Sequence, residues 1–188
     1  MTIIRKAGPA DAERLLEIYS YYVINSAVTF DYDVPSIEEF TGRMEHTLSG
    51  YPYLATVTDG VIEGYAYAGP FVGRAAYGWS CETTIYLAPE SRKRGLGRML
   101  YEALEAELKE MGFRNLYACI SYPETEDEYL TRNSADFHAH LGFVKAGEFH
   151  KCGYKFGRWY DMIWMEKMIG EHDAPKPVVR TNWEEADV

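Results

Sequence analysis

Apolar and polar residues alternate along this chain with two different periods, and each period predicts a different kind of element. Leucines recur at positions 100, 104 and 108, a spacing that places them on one face of a helix. Residues 53–58 and 61–68 are instead rich in β-branched and aromatic side chains, and they flank Asp59-Gly60. That dipeptide is a strong signal for a type I′ hairpin. Strands and helices are therefore expected to follow one another.

The same patterns predict the remaining elements. Asp11 and Ser36 are candidate N-caps of the first two helices, and Ser36 forms a capping box with Glu39. Further elements are predicted as strands over residues 3–5, 79–87 and 115–121, helices over 96–111 and 134–141, and a last hairpin of 148–156 and 159–165 turning at Gly157-Arg158. This order is typical of an α/β or α+β domain.

A basic, glycine-containing turn connects the strand at 79–87 to the next helix. Backbone N–H groups in such a turn point outward, and the helix N-terminus adds partial positive charge, so the turn suits a phosphate or pyrophosphate. A P-loop needs Lys-Ser/Thr where Arg98-Met99 stand, and the Rossmann pattern needs Gly or Ala where Leu100 stands. Both of these nucleotide patterns are weak matches. Full positive charges come from Arg92, Lys93, Arg94 and Arg98.

The motif Arg92-x-x-Gly95-x-Gly97, directly after a strand, resembles the acetyl-CoA signature of the GNAT N-acetyltransferase superfamily. Almost the whole chain to about Met168 resembles the phosphinothricin and methionine sulfoximine N-acetyltransferase branch. The resemblance is carried by segments 65–70, 79–87, 92–98 and 153–159, the last being more similar to the methionine sulfoximine members. It implies a mixed, mostly antiparallel sheet of about seven strands, flanked by helices and splayed between the fourth and fifth strands.

The resemblance also implies transfer of the acetyl group of acetyl-CoA to the amine of a small amino-acid analogue. The family's usual asparagine is Thr131 here, and we expect Asn133 to replace it in the pantetheine contact, with Ser134 beside it. The cofactor-binding residues implied in this way are Ile85, Tyr86, Leu87, Arg92, Lys93, Arg94, Gly95, Leu96, Gly97, Arg98, Asn133 and Ser134.

The reaction itself requires a base, because an amine at neutral pH is mostly ammonium. Glu82 stands among apolar and aromatic residues that would raise its pKa, and the family's base falls on this position. The resemblance implies that a backbone N–H near residues 85–87 stabilises the oxyanion. The leaving thiolate needs a proton, for which His138 and Tyr101 are both candidates. Glu82 could instead be a glutamate on the outward face of its strand, His138 a cap or packing residue, and Tyr101 a core aromatic.

The acceptor pocket is expected around Phe30, residues 74–77 and residues 82–84. An amino-acid substrate carries a carboxylate, so a cation should line the pocket, with Arg74 the first choice and Arg158 the second. The acidic segment 121–130 is longer than the family needs and is expected to form a solvated loop, a lid or a pocket rim. The predicted substrate-binding residues are Phe30, Arg74, Ala75, Ala76, Tyr77, Glu82, Thr83 and Thr84.

Composition narrows the function classes. The net charge of −10 argues against general binding to nucleic acid or an anionic membrane. Cys81, Cys119 and Cys152 are far apart in sequence, which favours a reducing cytoplasm over a disulfide framework. The histidines show no metal-like spacing with them, so no metal is predicted. The acetyltransferase domain is predicted over residues 1–169 and a C-terminal extension over 170–188.

Two other functions remain open on the sequence. One is acetylation of a different amine, such as a polyamine, a peptide N-terminus or a protein lysine, for which the acidic loop would suit a cationic acceptor. The other is a non-catalytic acyl-CoA sensor. The aromatic last hairpin and the resemblance together predict a homodimer with pockets near the interface.

Overall fold

A computed structural model describes residues 1–174 and 176–180 of the chain. The seven strands are β1 (Thr2–Lys6), β2 (Tyr53–Thr58), β3 (Val61–Pro70), β4 (Ser80–Leu87), β5 (Asn115–Tyr122), β6 (Val144–Lys155) and β7 (Arg158–Met168). The four α-helices of the described residues are α1 (Ala12–Asn25), α2 (Ile37–Leu48), α3 (Leu96–Met111) and α4 (Asn133–His140). Short 3₁₀ turns lie at Pro9–Asp11, Ala75–Tyr77 and Pro89–Ser91.

The strands form one sheet in the order β1-β2-β3-β4-β5-β7-β6. Neighbouring strands are antiparallel except for β4 and β5, which run parallel. That parallel pairing covers only Ser80–Glu82 against Asn115–Tyr117. Beyond Glu82 the two strands separate, so the predicted splay between the fourth and fifth strands is confirmed.

Each face of the sheet is covered by helices, which creates two apolar cores. Leu100, Leu104 and Leu108 of α3 are fully buried in the core of one face, together with Leu54 of β2. On the other face, α1 and α2 pack on a layer of tyrosines that includes Tyr65. Burying one such leucine contributes roughly 1.5–3 kcal/mol. The four-residue spacing of these leucines predicted the buried face of α3 correctly.

Most element boundaries agree with the sequence, and two details are wrong. The Ser36 hydroxyl accepts from Glu39 N–H at 3.1 Å, as a capping residue should. Asp11 stands at the first N-cap, but its carboxylate accepts from Gly8 N–H at 3.0 Å and pairs with Arg5 instead of capping α1. The Asp11 carboxylate therefore binds groups that precede α1 and none of the free N–H groups in the first turn of that helix.

The last hairpin turns one residue earlier than predicted. Phe156 and Gly157 adopt φ of 51° and 74°, the positive values that a type I′ turn requires at both central positions. Arg158 consequently begins β7 and does not belong to the turn.

The described tail residues contact the domain. Trp79 Nε1 donates to the Lys176 carbonyl at 2.7 Å, and Val179 N–H donates to the Met111 carbonyl at 2.9 Å. The Arg180 guanidinium lies 4.5 Å from the centroid of the Tyr51 ring. The boundary at 169/170 stays a prediction. None of the described helices is long and apolar enough to span a membrane.

Candidate active site

A cleft opens where β4 and β5 separate. It is lined by both strands, by the segment after α1 and by α4: Val28, Thr83, Thr84, Ile85, Tyr86, Ala118, Cys119, Ile120, Ser121, Leu130, Ser134 and His138. Six of these residues were predicted as site residues: Thr83, Thr84, Ile85 and Tyr86 on β4, and Ser134 and His138 on α4. Ser121 and Leu130 are the ends of the acidic segment that was expected to form a loop, a lid or a pocket rim. Val28 and residues 118–120 were missed, because only tertiary structure brings them beside β4.

Glu82 directly precedes Thr83 and Thr84 on β4, which line the cleft, and is not itself among the lining residues. It is the last β4 residue that pairs with β5, and it is half-buried. Its carboxylate makes no hydrogen bond or ion pair with any described residue. Burial alone raises the pKa of Glu82 above its usual range. Burial and the negative charge of Glu82 raise the pKa of Tyr67, and they raise the pKa of Cys119 to about 12. Both residues therefore lie near the Glu82 carboxylate.

The open side of β4 offers backbone donors. Ala88 N–H donates to the Glu63 carbonyl of β3 at 2.8 Å. Because N–H groups alternate in direction along a strand, those of Ile85 and Leu87 point away from β3 and into the gap. These are donors of the kind that an oxyanion needs.

Tyr101 and His138 form a buried hydrogen-bonded pair behind the cleft. Tyr101 Oη lies 2.7 Å from His138 Nε2, and the two residues are 2% and 3% exposed. His138 Nδ1 lies 2.7 Å from the Ser134 carbonyl, which can only accept, so this nitrogen carries the proton. Burial lowers the pKa of His138, which favours the neutral ring. Nε2 therefore accepts the proton of the Tyr101 hydroxyl.

Thr83 extends this pair toward the sheet. Its hydroxyl lies 3.1 Å from Tyr101 Oη and donates to the Tyr117 carbonyl at 3.2 Å. Successive strand residues point to opposite faces, so Thr83 faces α3 while Glu82 and Thr84 face the side of α1 and α2. Burial raises the pKa of Tyr101 well above its usual value, so its hydroxyl stays protonated at neutral pH.

The basic turn has the geometry of an anion site. Gly95 has φ of +81° and Lys93 has φ of +60°, after which α3 begins. In the described part of the chain, the N–H groups of residues 92–98 find no backbone acceptor. A run of unpaired N–H groups at a helix N-terminus is a ready site for phosphate.

The cations of this turn differ in their surroundings. The Arg92 guanidinium lies 5.4 Å and 5.2 Å from the ring centroids of Tyr21 and Tyr22. Arg94 pairs with Glu63, and Arg98 lies 3.8 Å from Glu102.

The second glycine of the motif has a packing role. A Cβ on Gly97 would lie 3.1 Å from the Phe137 ring, so this glycine allows α3 and α4 to approach each other. Asn133 begins α4, and its N–H lies 3.4 Å from Thr131 Oγ1. Ser134 lines the cleft.

The predicted acceptor residues fall into two groups. Thr83 and Thr84 line the cleft, whereas Phe30 and residues 74–77 lie outside its lining. Arg74 is exposed and precedes the Ala75–Tyr77 turn, with Ala76 at its centre. Arg158 is held by the Glu128 carboxylate at 2.8 Å and 2.9 Å, so it is not a free cation.

The acidic segment 121–130 is fastened to the last hairpin. Asp127 accepts the N–H groups of Tyr129 and Leu130 at 2.8 Å and 2.9 Å, and also the Tyr160 hydroxyl. Arg158 lies 2.9 Å from the same carboxylate. Since Leu130 lines the cleft, this segment forms part of its rim.

One group of possible metal ligands exists among the described residues. Glu148, His150 and Asp161 have ligand atoms within 4.8 Å of one another. Glu148 already pairs with Lys145, and Asp161 accepts Lys151 N–H at 2.7 Å. The expectation of no metal stays a prediction.

Comparisons with known proteins agree with this geometry. Residues 4–164 match the acetyltransferase (GNAT) domain family. The chain is 31% identical over 175 residues to a phosphinothricin N-acetyltransferase of Streptomyces viridochromogenes, covering 93% of this chain and 92% of that protein. It is also 31% identical to the L-methionine sulfoximine/L-methionine sulfone acetyltransferase of Salmonella typhimurium, covering 92% and 97%.

Among solved structures, a GNAT superfamily phosphinothricin acetyltransferase from Sinorhizobium meliloti in complex with AcCoA matches with a TM-score of 0.84 and 35% identity. The match covers 94% of this chain and 93% of that one. The chain therefore belongs to the GNAT acetyltransferase family.

Proposed function

We propose that this protein transfers the acetyl group of acetyl-CoA to the amine of a small amino-acid-like substrate of the phosphinothricin, methionine sulfoximine or methionine sulfone type. The observation that carries the proposal is the unpartnered, half-buried Glu82 carboxylate, which directly precedes the β4 residues that line the cleft and lead to the basic turn. The names of the relatives support the substrate class.

Glu82 takes a proton from the substrate ammonium, directly or through one water. Its raised pKa brings the carboxylate nearer to the pH at which a general base is most effective. The freed amine forms a C–N bond at the acetyl carbonyl carbon, whose oxygen becomes the tetrahedral oxyanion. The N–H groups of Ile85 and Leu87 stabilise that charge.

Collapse of the intermediate breaks the C–S bond and leaves a thiolate that must gain a proton. Tyr101 supplies it: its O–H turns from His138 Nε2 to the sulfur as the C–S bond breaks, and Tyr101 then regains a proton from solvent while Glu82 releases the one taken from the amine. Acetyl-CoA supplies the thioester when bound. The 92–98 turn holds its pyrophosphate, and Asn133 and Ser134 contact its pantetheine arm. Arg74, which is exposed and lies outside the cleft lining, is the proposed contact of the substrate carboxylate.

The alternative of a cationic acceptor is weakened. It rests on the acidic loop, and two of the four acidic side chains of that loop, Asp127 and Glu128, are already paired with Arg158. A non-catalytic sensor would have no use for a half-buried carboxylate with a raised pKa beside the thioester site.

A release assay for free CoA tests the proposal against a panel of amines. Methionine sulfone, methionine sulfoximine and phosphinothricin should react, and a polyamine and a lysine peptide should not. Glu82→Gln should lower kcat/KM for the amine by about 10²- to 10⁴-fold at neutral pH, the usual size of a general-base contribution. The deficit should shrink as the pH approaches the amine's own pKa. Wild-type activity in the Gln variant would contradict the assignment.

Thermal unfolding separates a catalytic loss from a structural one. The pKa of Glu82 is raised in the folded state, so the folded protein binds the proton more tightly than the unfolded chain does. This carboxyl therefore lowers stability as the pH rises above its unfolded pKa of about 4.5. Glu82→Gln removes that effect, so its Tm at pH 7.5 should equal or exceed that of the wild type. A clearly lower Tm would show that Glu82 has a structural role.

We also infer that the protein is a homodimer and that it works in the cytoplasm. The dimer is supported by exposed aromatic side chains on the last hairpin. The cytoplasmic location is supported by the three cysteines, which are all free thiols.

A further inference from the structure

A buried lysine lies at the end of β6, away from the predicted catalytic residues. Lys155 is 2% exposed. Its Nζ donates to the carbonyls of Ser26 at 2.9 Å and Thr29 at 2.8 Å, and no described carboxylate lies within ion-pair distance of it. Burial lowers the pKa of Lys155, while the charge of Asp31 partly offsets that effect. Such a group is costly to bury, and both of its hydrogen bonds are to one segment, while its Nζ also lies 5.1 Å from the centroid of the Phe156 ring.

That segment, residues 26–32 between α1 and α2, is named the acceptor loop below. Val28 of this loop lines the cleft opposite β4. The loop contains no regular secondary structure, and its own Ser26 and Thr29 hydroxyls accept the Val28 and Asp31 N–H groups. Contacts from other elements add to these. Ser121 donates to the Val28 carbonyl at 3.2 Å, and Ala27 N–H donates to the Tyr129 carbonyl at 3.1 Å. The position of the loop therefore depends partly on groups outside it.

Two neighbours of Lys155 on β6 hold the same loop. A Cβ on Gly153 would lie 2.3 Å from the Phe30 ring, so this ring rests directly on the strand backbone. The Tyr154 carbonyl accepts from the Tyr32 hydroxyl. Three consecutive residues of β6 thus contact the loop near its start, middle and end.

We propose that Gly153 and Lys155 are positioning residues that fix the acceptor loop, and through it set the affinity for the amine substrate without affecting acetyl-CoA. This inference rests on the proposed function, because it takes the cleft wall at Val28 as part of the amine site. The basic turn that holds acetyl-CoA shares no contact with Gly153 or Lys155. The pyrophosphate end of acetyl-CoA should therefore be unaffected, and the KM for the amine should change more than the KM for acetyl-CoA.

Lys155→Met tests the inference, since methionine keeps most of the length but leaves both carbonyls without a donor. The KM for methionine sulfoximine should rise about 10- to 100-fold, the range expected when a reacting group is misplaced, while the KM for acetyl-CoA stays within about twofold. Lys151→Met is the matched control, because that exposed lysine lies on the same strand and should give wild-type values. Amide hydrogen exchange at residues 27–32 should be faster in Lys155→Met than in the wild type, and unchanged in the control Lys151→Met.

Gly153→Ala is the second variant and should give the same amine-specific rise by displacing Phe30. It also decides the outcome if Lys155→Met does not fold. Equal changes in both KM values, or no change in either variant, would overturn the inference. If the wild type acetylates none of the amines, the proposed function fails instead, and hydrogen exchange still shows whether Lys155 holds the loop.

Discussion

His138 shows how the surroundings of one residue change the chemistry that its side chain can perform. On sequence alone it is a candidate proton donor, because an ordinary histidine titrates near neutral pH. In the fold its Nδ1–H is bonded to the Ser134 carbonyl, and burial keeps the ring neutral. Its remaining nitrogen accepts from Tyr101. The geometry therefore favours Tyr101 as the donor and His138 as the group that orients it.

Tyr101→Phe tests this division of roles. The change removes the hydroxyl but keeps the ring, whose packing against Phe143 should survive. We expect kcat to fall by about 10²-fold, the low end of general acid–base contributions, with both KM values unchanged. Unfolding should also become easier by about 1–3 kcal/mol, because His138 Nε2 is left buried without a donor.

A matched variant controls for simple loss of packing. Tyr122→Phe removes a hydroxyl from a tyrosine that is only partly buried, and it should keep wild-type kcat. A Tyr101→Phe variant with normal kcat would assign proton donation to another group.

At the scale of elements, the turn between β4 and α3 uses its two glycines differently. Gly95 adopts φ of +81°, and a Cβ added to it would meet no atom within 4 Å. Glycine is therefore required at this position for its backbone conformation and not for lack of space. Gly97 lies against the Phe137 ring, so a side chain there would disturb α4 as well as any bound phosphate. The sequence motif shows that both positions are glycine. Only the packed structure shows that Gly95 is needed for its backbone conformation and Gly97 for the close approach of Phe137.

Gly95→Ala is accordingly the cleaner test of the turn. An alanine in the left-handed region costs about 1–2 kcal/mol, so the KM for acetyl-CoA should rise about 5- to 30-fold if binding needs this conformation. The KM for the amine should stay unchanged. Gly42→Ala, in an exposed and open position of α2, should leave both values as they are. An unchanged acetyl-CoA KM in Gly95→Ala would refute the assignment of the turn.

At the scale of the whole molecule, the sheet ends in an edge that carries exposed aromatic residues. β6 is the last strand in the sheet order. Phe149 is 54% exposed, Tyr154 47% and Trp159 60%. An open edge with large exposed apolar side chains commonly marks an association surface. The proposed homodimer uses this face of the β6–β7 hairpin.

Sedimentation velocity at micromolar concentration tests that proposal. The wild type should sediment as a dimer, and Trp159→Glu should shift it to a monomer by placing a charge in the interface. Ile24→Glu is the control, since this residue of α1 is 62% exposed and lies on another surface. A monomeric wild type would contradict the proposed assembly.

The sequence by itself determined the features that depend on neighbours along the chain. The helical leucines of α3, the Asp59-Gly60 turn and the Ser36 cap are local patterns, and the structure confirms each of them. The family followed from short motifs, because the backbone conformation that a phosphate loop needs is set by its own residues. The roles of Glu82, His138 and Tyr101 stay predictions.

Only the tertiary structure decided which distant groups meet. The pairing of Arg158 with Asp127 and Glu128, the Tyr101–His138 bond and the contact of Lys155 with the acceptor loop join residues that lie 30 to 129 positions apart. No local period or propensity encodes such contacts, because the cost of burying a charge or leaving a carbonyl unpaired arises only after packing removes water.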